Sequence, residues 1–210
     1  MIKKKQIGLY FGTFNPIHVG HIILANYIVE YSDLEEIWFV VTPMSPLKTQ
    51  YQILDNFDRY DMVKLAIEDY EKLKVSDIEF HLPKPNYTVT TLAYLEEKYT
   101  NFSFSLIMGE DNLKSLHRWR NFEYIISNYS ILVYPRISKG EIEKNIASKM
   151  IYVPQPQGFK EYKAEIQYID APIIELSSSF IRKSIYEGKN VQSMLDKKVW
   201  AKIKGKHFYK

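Results

Sequence analysis

Cysteine is missing from this chain altogether. Disulfides, thiolate metal sites and cysteine nucleophiles are therefore excluded, and the usage fits a protein of the reducing cytosol. Apolar runs of bilayer-spanning length are also missing, which argues against a membrane segment. The first residues, Met1-Ile2-Lys3-Lys4-Lys5, carry charge but no apolar stretch of the signal-peptide kind. A cytoplasmic location with no membrane partner is expected. Charge of one sign is scarce too, since 28 Lys and Arg face 25 Asp and Glu, for a net charge of +3. The lysines are scattered, and Lys202, Lys204, Lys206 and Lys210 read as a solvated helix end. Binding of a nucleic-acid polymer is not indicated. No Walker A pattern is present, so phosphate binding does not use that loop. His81 has no convincing ligand spacing with His18 and His21, so no protein metal site is expected. Internal repeats, low-complexity tracts and domain linkers are absent as well. The chain is expected to form a single domain over 1–210, with a helical C-terminal part over about 177–210.

What is present alternates. Strand-like apolar runs lie at Gln6–Phe11, Glu36–Thr42, Lys74–Phe80, Ser103–Met108, Tyr129–Tyr134 and Ile151–Val153, with a short one at Pro172–Leu176. Helix-like runs fall at His18–Tyr31, Phe57–Glu71, Val89–Tyr99, Asn112–Ser127 and Lys139–Ser148; Met62, Leu65, Ala66 and Tyr70 form one apolar stripe. Pro154–Lys163, with two prolines and a glycine, reads as a loop. Strand followed by helix, repeated, predicts an α/β fold: a Rossmann-like, doubly wound parallel sheet with helices on both faces. Such sheets bind ligands at the carboxyl ends of their strands, where the strand order reverses.

The run Gly12-Thr13-Phe14-Asn15-Pro16-Ile17-His18-Val19-Gly20-His21-Ile22 sits where the first strand hands over to the first helix. A helix start presents unpaired N–H groups and partial positive charge, which attract anions. Gly12 would let a ligand approach the backbone closely. His18 and His21, three apart, share one face of the opening turn, where two imidazoles could grip a phosphate whose charge grows during reaction. A glycine ahead of a helix is often only a turn; His-x-Gly-His at that place is far more specific. Late in the chain, Ser177-Ser178-Ser179-Phe180-Ile181-Arg182 opens another helix. Alone it would be a capped helix, but serine hydroxyls plus a permanent positive charge three residues on also make a phosphate cradle.

Together these two segments resemble the nucleotidyltransferase superfamily, whose late signature reads I-S-S-T-x-I-R. Thr42-Pro43-Met44-Ser45-Pro46-Leu47-Lys48 resembles the P-x-x-P-H-K loop of nicotinate-nucleotide adenylyltransferases, with Leu47 where that pattern has histidine. Arg59 and Met62 match its R-x-x-M, and Arg59 is read as structural. Asn86-Tyr87-Thr88-Val89-Thr90-Thr91-Leu92 resembles S-Y-T-x-D-T-L, with Thr90 replacing aspartate; Gly109 and Asp111 resemble I-x-G-x-D. The resemblance implies that Tyr87 and Thr88 line a pyridine-nucleotide pocket, Thr88 also being a reasonable N-cap. It implies that Gly109 and Asp111 meet ribose, and that Trp119, beside Arg120, is the platform for the nicotinate ring. Aromatic faces attract cations such as a pyridinium.

The activity implied is adenylyl transfer from ATP to nicotinate mononucleotide, giving deamido-NAD and pyrophosphate. His18, His21, Lys48 and Arg182 form the expected charge-stabilising set. Gly12, Thr13, Phe14, Gly20 and Ser177, Ser178 and Ser179 would hold ATP; Thr13 and Lys48 also face the mononucleotide. Magnesium is expected with ATP, and a homo-oligomer is possible. A phosphopantetheine or other small-substrate nucleotidyltransferase, and a non-catalytic nucleotide sensor of the same fold, are the alternatives.

Overall fold

The computed structural model describes residues 3–43, 53–135, 150–155, 158–163 and 165–210, the side chains of 150–163 excepted. Strands β1 (Lys5–Gly12), β2 (Glu36–Val41), β3 (Leu73–Ser76), β4 (Phe102–Gly109), β5 (Ser130–Tyr134) and β8 (Ile166–Tyr168) form one sheet in the order β3-β2-β1-β4-β5-β8. Every pairing in it is parallel. Chain order reverses between β1 and β4, so a crevice opens at their carboxyl ends. Helices α1 (Val19–Glu30), α2 (Asn56–Ala66), α3 (Thr88–Lys98), α4 (Glu110–Ser115) and α5 (Phe122–Asn128) make the crossovers. Helices α6 (Ser178–Tyr186) and α7 (Lys197–Lys206) follow the sheet.

Because successive strand side chains point to opposite faces, the sheet builds two cores. Ile7 and Leu9, with Leu106, Ile131 and Val133, pack with Leu92, Leu95 and Ile125 of α3 and α5. Tyr10, Ile37, Phe39, Ile107 and Leu132 pack on the other face with Ile28, Met62 and Val63 of α1 and α2. Ile181, Ile185, Val199 and Ile203 of α6 and α7 join that second core. Local signals start these helices. Asp55 accepts the Phe57 N–H at 2.8 Å, Ser177 the Phe180 N–H at 3.2 Å, and Asp196 the Lys198 N–H at 2.8 Å.

The tail lysines have partners. Lys202 pairs with Asp61 at 2.9 Å and Asp58 at 3.4 Å, and Lys198 with Glu68 at 2.9 Å. They dock α7 on an acidic edge that runs along and just past α2, so Lys202 is a tertiary contact rather than part of a solvated helix end.

Other expectations need correction. Pro172–Leu176 is not a strand; the sheet edge belongs to β8, and proline lacks the N–H a ladder requires. Within Pro154–Lys163, expected as a loop, β7 (Gly158–Lys163) pairs antiparallel with β6 (Met150–Gln155). Pro154 and Gly158, read as loop signals, lie within the two strands themselves. The helix expected over Asn112–Ser127 breaks, because Trp119 is extended and Asn121 is left-handed at φ 51°. α2 stops at Ala66, and β3 stops at Ser76 before a short 3-10 turn over Ile78–His81. The helix expected at Lys139–Ser148 lies outside the described residues.

Candidate active site

The turn after β1 is held from within. Thr42 N–H bonds to the Gly12 carbonyl at 2.8 Å, which continues the β1–β2 pairing past β2. Phe14 adopts φ 45° and is 2% exposed. Its ring meets Tyr10, Phe39 and His21 with centroids 5.7, 5.4 and 5.2 Å apart. A Cβ at Gly12 would sit 2.7 Å from that ring. Gly12 therefore makes room for Phe14, and it also lines both the cleft and the side pocket described below. Phe14 contributes a plug to the core, and the turn backbone faces the cleft.

His18 occupies the N-cap of α1 and is buried. Its backbone N–H donates to His21 Nδ1 at 3.2 Å. In the neutral ring the proton of His21 is thereby assigned to Nε2, which becomes a donor. The two imidazoles stack with centroids 3.7 Å apart and planes at 25°. Gly20 is what permits this. A Cβ there would lie 3.1 Å from His18 Nδ1 and 3.2 Å from Ile174 Cγ2. Gly20→Ala should raise helix propensity by up to about 1 kcal/mol, yet press on the His18 ring. We expect an unlowered melting temperature and turnover reduced about tenfold, a displacement effect. A melting scan and steady-state kinetics would check both.

The late serine segment meets this turn directly. Ser178 Oγ donates to the Pro16 carbonyl at 2.8 Å, and Arg182 Nη1 donates to the Asn15 carbonyl at 2.8 Å. Arg182 Nη2 also reaches Ser179 Oγ at 3.3 Å. A cleft of about 870 Å³ results, lined by Gly12, Thr13, Phe14, His18, Gly20 and His21 from the early segment. Ser177, Ser178, Ser179 and Arg182 line its other wall.

A side pocket of about 140 Å³ shares Phe11, Gly12, Thr13 and Asn112 with the cleft. Tyr87, Thr88, Trp119 and Arg120 line it. The Arg120 guanidinium lies 4.9 Å from the centre of the Tyr87 ring. Trp119 Nε1 is buried with no hydrogen-bond partner among the described residues. Tyr87, not Thr88, takes the N-cap of α3, because the Thr90 and Thr91 N–H groups bond to the Tyr87 carbonyl. Thr88 is the first residue of the helix, at its positive end. Gly109 is the N-cap of α4, and Asp111 is exposed in its first turn. Neither lines the cleft or the side pocket; the neighbouring Asn112 lines both.

Two residues that the sequence reading left outside the site border it. Glu79 lies in the side-pocket wall, 1% exposed. Its Oε1 accepts from Thr91 Oγ1 at 2.8 Å, and burial pushes its carboxyl above the usual range. Its one signal in the sequence is an acidic residue inside an apolar run, Ile78-Glu79-Phe80. Arg59 lies behind the turn, fully buried. Its Nη1 donates to the carbonyls of Thr13 at 2.6 Å and Thr42 at 3.0 Å, and its Nε to that of Leu54 at 3.0 Å. Nη2 donates to Asn56 Oδ1 at 2.6 Å. Burial lowers its pKa to about 10, so it stays charged at neutral pH. It binds three loop ends together and does not line the cleft. Lys48 and Leu47 lie outside the described residues. Among those residues no group of three or more His, Asp or Glu side chains is placed to hold a metal ion, and no helix is long and apolar enough to cross a membrane.

The cytidylyltransferase-like family model matches residues 9–184. A Flavobacterium johnsoniae protein named "Probable nicotinate-nucleotide adenylyltransferase" is 56% identical, covering 98% of this chain and 99% of its own length. A relative with the same name from Christiangramia forsetii is 54% identical over 98% and 99%. A Plasmodium falciparum nicotinic acid mononucleotide adenylyltransferase solved with NaAD shares the fold, with TM-score 0.75, 19% identity and coverage of 98% and 97%. With a near-full-length match to such relatives, with its family model spanning the early and late segments, and with the cleft they enclose, this chain belongs to the nicotinate-nucleotide adenylyltransferase family of cytidylyltransferase-like enzymes.

Proposed function

We propose that the protein joins ATP and nicotinate mononucleotide to give deamido-NAD and pyrophosphate. One observation carries this reading: the stacked histidines and the Ser178–Arg182 cradle line one cleft, which shares Gly12 and Thr13 with an aromatic side pocket. A phosphate oxygen of the mononucleotide attacks the α-phosphorus of ATP in line. The new P–O bond forms as the bond to the β-phosphate bridging oxygen breaks, and pyrophosphate carries off the electron pair. The nucleophile is already ionised at neutral pH, so no general base and no covalent enzyme intermediate are needed. The protein's task is to hold two anions together and to meet the charge that grows on the phosphates.

ATP enters as its magnesium complex. His18, His21, Lys48 and Arg182 stabilise the developing charge. Backbone groups of Gly12, Thr13 and Phe14, with Ser177, Ser178 and Ser179, hold phosphate, and Gly20 keeps the His18 ring in place. The positive end of α3 at Tyr87 and Thr88 suits the nicotinate carboxylate. Trp119 and Arg120 flank the ring, and Gly109 and Asp111 serve the ribose. The chain acts as one domain in the cytoplasm.

Pyrophosphate release with magnesium and ATP tests the reading. We expect release with nicotinate mononucleotide, and slower release with the amide mononucleotide or phosphopantetheine. Release fastest with phosphopantetheine would replace the substrate; ATP binding without release from any of the three would point to a sensor.

A further inference from the structure

The chain beyond α7 turns back on the phosphate-binding turn. His207 ends the helix in a left-handed conformation, and the Phe208 N–H returns to the Ile203 carbonyl at 3.1 Å. Phe208 and Tyr209 then pack against the core shared by α1, α2, α6 and α7. Tyr209 Oη donates to Asn15 Oδ1 at 2.8 Å, across 194 positions of sequence. The Leu54 N–H reaches the same atom at 3.4 Å. Two donors converging on one atom identify it as the amide oxygen, which only accepts. Burial keeps the Tyr209 phenol protonated, although Arg182 and Arg59 pull the other way. The phenol is therefore the donor.

Asn15 is 3% exposed and sits between Thr13-Phe14 and His18. Its carbonyl receives Arg182 at 2.8 Å. One residue thus joins the tail, through its side chain, to the cradle arginine, through its backbone.

We propose that Tyr209 is a positioning residue for adenylyl transfer: its hydroxyl, through Asn15, holds the turn ahead of His18 and the Arg182 guanidinium in reacting geometry. The inference rests on the transferase reading above. Tyr209 lines neither the cleft nor the side pocket. Its effect is to fix the Asn15 side chain and with it the turn backbone, so that the Asn15 carbonyl stays in place for Arg182 and the histidine pair keeps its position. Displacements well under an ångström at such a site affect the rate more than the binding of either substrate.

The test is Tyr209→Phe, which keeps the ring and its packing and removes only the hydroxyl. We expect turnover about tenfold lower, as expected for misplaced reacting groups, with KM for ATP and for nicotinate mononucleotide changed less than about twofold. The melting temperature should stay close to the parent's. In the Asn15→Ala background the same change should add little, since both remove one contact. A Tyr209→Phe enzyme with parental turnover would overturn the proposal and leave the ring as packing alone. So would a loss that persists in full beside Asn15→Ala. If the parent protein itself releases no pyrophosphate, the transferase reading fails and this inference falls with it; an active parent isolates the failure to Tyr209.

Discussion

His21→Ala should lower turnover by about a hundredfold or more, as loss of one preorganised donor to a developing charge does. The reason is local. His21 is half-buried at the cleft wall, and its Nδ1 is occupied by the His18 backbone N–H. The other nitrogen, Nε2, carries the proton in the neutral ring and is the donor a phosphate oxygen would use. The substitution also removes the ring against which His18 stacks at 3.7 Å, so both members of the pair are affected. The defect should fall on kcat more than on KM, because the interaction strengthens as charge accumulates. Pre-steady-state and steady-state pyrophosphate release, with circular dichroism to verify folding, would check it. Unchanged turnover in a folded variant would remove His21 from the charge-stabilising set.

Arg59→Ala should destabilise the protein by about 3–5 kcal/mol, because it strands several hydrogen-bond acceptors and opens a cavity in the interior. The wild-type guanidinium satisfies the carbonyls of Thr13, Thr42 and Leu54 and the side chain of Asn56. Alanine leaves these acceptors in a cavity, each unmet buried group costing about 1–3 kcal/mol. A domain is stable by only about 5–15 kcal/mol, so a large fall in the urea midpoint is expected. Arg59→Lys should recover only part, because an ammonium cannot reproduce the planar fork. An urea midpoint close to wild type would mean that water fills the site, and that the turn does not depend on this side chain.

Much of the fold was legible because its signals are local. Continuous apolar runs gave β1, β2, β4 and β5, and the serine before Phe180 and the glycine-histidine turn marked helix starts. Where non-local competition decided, the reading failed. Pro172–Leu176 and Ile166–Tyr168 both have strand-like character, and only pairing with β5 chose the second. Nothing in the run through Leu116-His117-Arg118-Trp119 announces the left-handed Asn121 that turns the tryptophan into the side pocket. Glu79 looked like part of a strand; its place in the pocket wall follows from the 3-10 turn after β3.

By itself the amino-acid sequence determined which residues could meet phosphate: a glycine-bearing turn with two histidines at one end, serines and an arginine at the other. It also determined an alternating α/β chain, since both kinds of information lie within a few residues of one another. Only the tertiary structure decided that Arg182, Asn15 and Tyr209 touch, that Arg59 ties Thr13 to Thr42, and that Gly20 exists for a neighbouring ring. Those contacts join residues far apart along the chain. Their loop-closure cost is met by burial of the whole core, and no short window of residues encodes them.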